Sequence, residues 1–104
     1  MAADTEAPKV AFLGLGIMGA PMAASLARAG IEVHAYNRSR EKAEAFADEL
    51  DNVVVADSAA AAASAAGVAI SMVPDVPEVE DVLLGPEGAA AGLAEGGLAI
   101  DMST

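Results

Sequence analysis

Residues 10–23 read VAFLGLGIMGAPMA, and this stretch decides the fold. Val10–Leu13 is a short apolar run of the kind that forms a strand buried on both faces of a sheet. Three glycines follow in the spacing G-x-G-x-x-G, at Gly14, Gly16 and Gly19, and an alanine-rich helical pattern comes next. Because glycine costs roughly 0.5–1 kcal/mol relative to alanine inside regular structure, three of them at this junction indicate either a bound phosphate or a tight turn.

Strand and helix patterns alternate along the rest of the chain. Strands are predicted at Lys9–Leu13, Glu32–Tyr36, Val53–Ala56, Val68–Val73 and Leu98–Met102. Helices are predicted at Met18–Ala29, Arg40–Leu50, Ala59–Ala66, Val76–Leu84 and Ala89–Glu95. This alternation predicts an α/β fold, a Rossmann-like doubly wound parallel sheet with right-handed crossovers and strand order 3-2-1-4-5.

Residues that can cap helices lie where these helices begin. Ser39 is predicted to cap the second helix, and Asp57 or Ser58 the third. Asp75 with Glu78 three residues later resembles a capping box that opens the fourth helix.

Composition narrows the class of protein. The chain has 104 residues, no cysteine, 3% aromatic residues and a net charge of −11. We therefore expect a core of Ala, Val, Leu, Ile and Met, no disulfide or metal site, and no nucleic-acid or membrane partner. Residues 1–8 are predicted to be a disordered tail without a secretory signal, and a cytoplasmic protein is expected. Residues 9–104 are predicted to form one dinucleotide-binding domain.

The positive charges are few and three of the five lie close together, at Arg38, Arg40 and Lys42. A basic spot on an acidic chain indicates a local anion. The glycine spacing agrees, since it stands between a strand and a helix with a second strand within about thirty residues, the context of a dinucleotide site. In such sites the first glycine permits the turn, the second admits the pyrophosphate, and the third lets helix and strand pack closely.

The end of the second strand bears on the choice of cofactor. An NAD site usually has Asp or Glu there to accept a hydrogen bond from the ribose 2′-hydroxyl, whereas an NADP site replaces it and adds arginine. This chain has Asn37, followed by Arg38 and Ser39. No carboxylate repels a 2′-phosphate, Arg38 can pair with it or stack on adenine, and Ser39 can donate a hydrogen bond. NADP is the predicted cofactor, with NAD as the alternative.

Four segments carry a family resemblance: GLGIMGAPMA (14–23), YNRS (36–39), SMVPDVPEVEDVLLGPEG (71–88) and IDMST (100–104). Together they resemble the β-hydroxyacid dehydrogenase family, which includes 3-hydroxyisobutyrate dehydrogenase, 6-phosphogluconate dehydrogenase and tartronate semialdehyde reductase (2-hydroxy-3-oxopropionate reductase). The third segment looks most like the last of these. The resemblance extends from about residue 9 to residue 104.

The resemblance implies roles by position. The pyrophosphate would lie at the glycine loop, the adenosine ribose at the end of the second strand, and the nicotinamide side after the fourth and fifth strands. The implied cofactor-binding residues are Gly14, Gly16, Ile17, Met18, Gly19, Asn37, Arg38, Ser39, Met72, Val73, Pro74, Val79, Ser103 and Thr104. Val79 is expected near the adenine, and Ser103 and Thr104 near the nicotinamide ring.

The resemblance also implies what lies outside this stretch. The family's catalytic lysine and most of its substrate pocket belong to a later helical domain, so no catalytic residue is assigned here and the 104-residue chain is expected to be inactive alone. A sheet that stops after strand five is expected to be part of a longer, homo-oligomeric oxidoreductase that transfers hydride between NADPH or NADH and a small β-hydroxyacid or its semialdehyde. The alternatives are a non-catalytic NADP-binding module, or the cofactor domain of an imine reductase or 6-phosphogluconate dehydrogenase-like enzyme.

Two further polar residues have structural interpretations. His34, the only histidine, lies within the second strand and is expected to be a packed or edge residue rather than a catalytic base. Asp101 precedes the Ser-Thr pair on the fifth strand and is expected to orient the N–H groups of the loop.

Overall fold

A computed structural model describes residues 8–73, 76–93 and 96–103. It contains one five-stranded parallel sheet in the order β3-β2-β1-β4-β5, which confirms the predicted topology. The strands are β1 (Lys9–Leu13), β2 (Glu32–Tyr36), β3 (Val53–Val55), β4 (Val68–Ser71) and β5 (Leu98–Asp101). The helices are α1 (Gly19–Arg28), α2 (Arg40–Asp48), α3 (Ala59–Ala66), α4 (Val76–Leu84) and α5 (Ala89–Gly92).

Strand β1 lies at the centre of the sheet, with Leu13 in register with Tyr36 of β2 on one side and Ser71 of β4 on the other. Its residues alternate between the two faces of the sheet, as side chains of a strand do. Ala11 and Leu13 belong to a core cluster with α3, whereas Val10 and Phe12 belong to a second cluster with α1. Both faces of β1 are therefore covered, as its continuous apolar run predicted.

The core departs from the composition-based prediction in one respect. Phe12 is fully buried, and no methionine belongs to the fully buried core of the described residues. Instead, Met22 and Met72 pack partly buried against the cluster that contains Phe12. The helices on that side of the sheet contribute small alanines to the cluster, Ala23 and Ala27 of α1 and Ala43 of α2, and these leave room for the Phe12 ring.

The order in which the strands are connected determines where a ligand can lie. The chain moves outward from β1 to β2 and β3, then returns across the sheet to β4 on the other side of β1. In open α/β sheets of this kind, ligands bind outside the carboxyl ends of the strands, where the winding direction changes. That point lies between β1 and β4.

Element ends differ from the predictions by a few residues, as frayed termini usually do. Ser58 caps α3 by accepting a hydrogen bond from the Ala61 N–H at 3.0 Å. Ser39 occupies the N-cap position of α2, as predicted, but its side chain makes no capping hydrogen bond. The predicted Asp75 cap and most of the predicted tail lie outside the described residues. Pro8, the last residue of that tail, is ordered by the sheet, since its carbonyl accepts the Glu32 N–H at 2.9 Å.

In the described part of the chain, no helix has the length and apolar character needed to cross a membrane.

Candidate functional site

A cleft of about 540 Å³ opens at the carboxyl ends of β1, β2 and β4. Its volume falls within the ~300–1,000 Å³ typical of small-molecule sites. The glycine loop, the end of β2, the end of β4 and one face of α4 form its walls. The lining residues are Gly14, Gly16, Ile17, Met18, Gly19, Tyr36, Asn37, Arg38, Ser39, Lys42, Met72, Val73, Glu78, Asp81 and Val82.

The three glycines of the loop have different surroundings. Gly14 has a φ of +105°, a backbone conformation that residues other than glycine rarely adopt. A Cβ at this position would also overlap the carbonyl oxygen of Met72. A Cβ on Gly19 would overlap the carbonyl oxygen of Gly14 and lie 3.3 Å from the ring of Phe12. A Cβ on Gly16 would meet nothing within 4 Å. The fold itself thus requires two of the glycines, whereas the space beside the third is open to the cleft.

The N-terminus of α1 faces the same space. Its N-cap is Met18, whose side chain makes no capping hydrogen bond. The first N–H groups of an α-helix usually have no partner within the helix, and with the helix dipole they favour an anion. Here the Ala20 N–H already donates to the Gly16 carbonyl oxygen at 3.0 Å and Pro21 has no N–H, so the Gly19 N–H and the helix dipole are what this end of α1 offers to an anion. Ile17 and Met18, which precede it in the loop, are 93% and 61% exposed.

Asn37 joins the end of β2 to the glycine loop. Its Oδ1 accepts the Leu15 N–H at 2.8 Å, and its Nδ2 donates to the carbonyl oxygen of Ser39 at 3.1 Å. The Gly14 N–H donates to the carbonyl oxygen of Tyr36 at 2.8 Å and strengthens the same connection. Asn37 therefore positions the loop in addition to lining the cleft, a role that the sequence analysis missed.

The basic residues near the cleft are not equivalent. Arg38 and Lys42 line it, but Arg40 does not. Arg40 pairs with Asp57 and, at 3.0 Å, with Glu44, and hydrogen bonds to these carboxylates raise the pKa of Arg40. Of the three predicted members of the anion site, two are therefore placed to meet a ligand.

On the opposite side of the site, the ends of β4 and β5 are joined by hydrogen bonds. Asp101 Oδ1 accepts from the Ser71 hydroxyl at 2.9 Å and from the Ser103 N–H at 3.0 Å. Ser103 Oγ accepts the Val73 N–H at 2.8 Å. Asp101 thus orients the loop after β5, as the sequence analysis expected. Hydrogen bonds from Ser103, opposed by partial burial and assisted by Ser71, hold the pKa of Asp101 below its ordinary value.

The hydrogen bonds around Asp101 predict how the stability of the fold changes at acidic pH. Since the pKa of Asp101 is lower in the folded than in the unfolded chain, its ionised form stabilises the fold above the unfolded pKa of about 3.9, and the contribution is lost as pH falls through the folded value. Asp101→Asn is expected to lower the thermal midpoint by a few degrees at pH 7, with the difference from wild type closing below about pH 3.9. Thermal melts from pH 7 to pH 3 measure this.

Asp51→Asn, which changes an exposed carboxylate outside the network, serves as the control. A difference between Asp101→Asn and wild type that stays constant across this pH range would contradict the assignment.

The cleft brings together most of the predicted cofactor residues, but not all. Val79 packs against the core cluster that contains Leu13 and does not line the cleft; Glu78, Asp81 and Val82 do. Asp81 and Val82 lie about one helical turn after Glu78 and share its face of α4. Val79 is rotated from Glu78 by about 100° around the helix axis. Ser103 lies in the network beside Val73 rather than on the cleft surface, and Pro74 and Thr104 lie outside the described residues.

Two other features of the described residues bear on chemistry. Over the ranges 8–73, 76–93 and 96–103, no group of three His, Asp or Glu side chains is placed to hold a metal ion. His34 Nε2 lies 2.6 Å from Glu32 Oε2 on the same strand, away from the cleft, which supports its interpretation as a structural residue.

Comparisons with known proteins agree with this geometry. The model of the NAD binding domain of 6-phosphogluconate dehydrogenase matches residues 9–104. The chain is 40% identical over 98 residues to 2-hydroxy-3-oxopropionate reductase of Escherichia coli (strain K12), covering 92% of this chain and 32% of the relative. It is 40% identical over 95 residues to 3-hydroxyisobutyrate dehydrogenase of Pseudomonas aeruginosa, covering 91% of this chain and 31% of the relative.

A solved structure of Psf3 in complex with NADP+ and 2-OPP is also similar, with a TM-score of 0.81 and 34% sequence identity. That alignment covers 91% of this chain and 33% of the other. The chain therefore spans about a third of the length of the proteins it matches.

Proposed function

Since this chain belongs to the family of NAD-binding domains that serve 6-phosphogluconate dehydrogenase and the hydroxyacid dehydrogenases, we propose that its cleft binds NADP(H) in preference to NAD(H). The observation that carries dinucleotide binding itself is the glycine loop, where the fold requires Gly14 and Gly19 but not Gly16. A glycine that the empty fold does not need, next to an uncapped helix N-terminus, fits the close approach of a pyrophosphate.

The residues that follow β2 support the proposed contact with a 2′-phosphate. The residue at the ribose position is the neutral Asn37, whose Oδ1 and Nδ2 are both engaged by the backbone. Arg38, Ser39 and Lys42 line the cleft beside it, and the Ser39 hydroxyl, which makes no capping hydrogen bond to α2, is left for a ligand. A guanidinium, an ammonium and a hydroxyl are suitable partners for a phosphate monoester.

For the whole protein we propose hydride transfer between the nicotinamide cofactor and a small β-hydroxyacid or its semialdehyde. The nicotinamide ring, when bound, supplies or accepts the hydride. Within this chain, Met72 and Val73 at the end of β4 form the wall that would face the nicotinamide side, and the Asp101 network fixes that wall against β5. No general acid–base group is assigned among these residues, and the whole protein is proposed to be a homo-oligomer.

Two alternatives have different tests. A non-catalytic NADP-binding module would lack a lysine-bearing helical domain in the encoded reading frame. A cofactor domain of an imine reductase would reveal itself when the complete protein is assayed with a panel of imines and semialdehydes. The relatives named above favour the hydroxyacid branch.

Arg38→Ala tests the cofactor preference. We expect NADPH to bind about tenfold more weakly, roughly 1.4 kcal/mol, because the charge-assisted contact to the 2′-phosphate is lost, while NADH affinity changes less than about threefold. Fluorescence titration of the chain with each reduced dinucleotide measures both constants.

The control is Arg28→Ala, which removes the same charge from an exposed position in the last turn of α1, outside the cleft. If the two variants weaken NADPH binding equally, the effect comes from net charge and gives no support to a contact between Arg38 and the 2′-phosphate. If the unmodified chain prefers NADH, the glycine-loop assignment stands and the assignment of the ribose end fails.

A further inference from the structure

An ion pair crosses the cleft at its ribose end. Arg38 Nη2 lies 3.2 Å from Glu78 Oε2, with side chains that are 76% and 29% exposed. Arg38 follows β2 and Glu78 lies in the first turn of α4, so the pair joins two opposite walls of the cleft. The pair therefore lies at the end of the cleft where Asn37, Arg38 and Ser39 would meet the adenosine ribose.

This pair involves the cation on which the proposed NADP preference depends. Arg40 is held by Asp57 and Glu44, so among the described residues only Arg38 and Lys42 offer positive charge to the cleft. Glu78 engages one of the two. A 2′-phosphate that approaches Arg38 must take the place of the Glu78 carboxylate or accept its repulsion, since a phosphate monoester carries about −1.5 to −2 charges near pH 7.

We propose that Glu78 is a specificity-determining residue that competes with the 2′-phosphate for Arg38 and so limits the preference of this cleft for NADP(H) over NAD(H). The inference rests on the proposed dinucleotide binding. A 2′-hydroxyl carries no charge and does not compete for the guanidinium, so the cost of breaking the pair falls on the phosphorylated dinucleotide alone.

The cost of breaking the pair is modest because Arg38 is well exposed. Ion pairs of exposed side chains are weak, and salt screens them. Repulsion between Glu78 and the 2′-phosphate adds to the effect, and Asp81, one turn further along α4, lines the same wall. Neutralising Glu78 is therefore expected to change the affinity several-fold, and the change should shrink at high salt.

Glu78→Gln is the test, because it removes the charge and keeps the size of the side chain. NADPH is expected to bind about fivefold more tightly at low ionic strength, with NADH affinity changed less than about twofold. Fluorescence titrations at low salt and at 0.5 M NaCl measure both ligands, and 2′,5′-ADP against 5′-AMP isolates the ribose end. The matched control is Glu80→Gln, an exposed carboxylate on the same helix that does not line the cleft.

The outcomes separate this inference from the proposed function. If wild type binds NADPH and Glu78→Gln binds it no more tightly than Glu80→Gln does, the competition is absent and the inference fails alone. If Glu78→Gln weakens NADPH binding, Glu78 instead holds Arg38 in its binding position, and the inference is overturned. If wild type binds neither dinucleotide, the proposed function fails and this inference with it.

Discussion

Gly19→Ala is expected to abolish cooperative folding of the chain or to lower its thermal midpoint severely. The added methyl group would overlap the carbonyl oxygen of Gly14 and press on the ring of Phe12, which is fully buried. Neither neighbour can move freely. The Gly14 carbonyl belongs to a loop that hydrogen bonds from Gly14 to Tyr36 and from Leu15 to Asn37 hold in place.

The expected size follows from the rigidity of the obstacle. Overpacking a core usually costs about 1–3 kcal/mol when side chains can adjust, and here the obstacle is backbone. We therefore expect a loss above about 3 kcal/mol, which in a domain of this size lowers the midpoint by roughly 12 °C or more. Against a typical total stability of about 5–15 kcal/mol, such a loss removes between about a fifth and three fifths of the free energy that holds the domain folded.

Thermal melts followed by far-ultraviolet circular dichroism provide the measurement. The control is Gly16→Ala, the same methyl group added three residues earlier, where nothing lies within 4 Å. A Gly19→Ala midpoint within a few degrees of the Gly16→Ala midpoint would show that α1 can move away from β1, contrary to the packing described above.

The glycine spacing allowed the sequence to predict the fold and the position of the site for a definite physical reason. Gly19 is required by contacts with Gly14 and Phe12, which local spacing determines, whereas the space that Gly14 needs is set by Met72, far along the chain. The alternation of strands and helices predicts a parallel sheet, and with the glycine spacing it favours the order 3-2-1-4-5 that the structure has. The glycine turn and the arrangement of the sheet were therefore predicted correctly.

Residues whose roles depend on partners far along the chain were not predicted. In the sequence Arg40 and Arg38 are neighbouring basic residues of one group, yet Arg40 pairs with Asp57, seventeen residues away. The resemblance implies Val79 near the adenine but does not reveal how α4 rotates, and in the structure Glu78 lines the cleft whereas Val79 packs against the core. The apolar pattern of α4 could have indicated this, since Val79, Val82 and Leu83 form a single apolar stripe.

Gly16→Ala is expected to fold like wild type and to lose most of its dinucleotide affinity, for NADPH and NADH alike. In the empty chain the new methyl group meets no protein atom within 4 Å, so it points into the open cleft. The pyrophosphate must approach the backbone there to reach the N–H groups at the start of α1. A methyl group in that space holds the phosphate away, and a displacement of about 1 Å lengthens several charge-assisted hydrogen bonds together.

We expect both affinities to fall by about a hundredfold, roughly 2.7 kcal/mol, the strength of one to two hydrogen bonds to a charged group. The loss should be equal for the two dinucleotides, because the pyrophosphate is common to them, whereas Arg38→Ala separates them. Titration of Gly16→Ala with NADPH and NADH, beside its thermal melt, measures affinity and stability on one sample. An unchanged affinity with an unchanged melt would mean that the ligand does not lie against this loop, and that only Gly14 and Gly19 have a role there, in the turn and its packing.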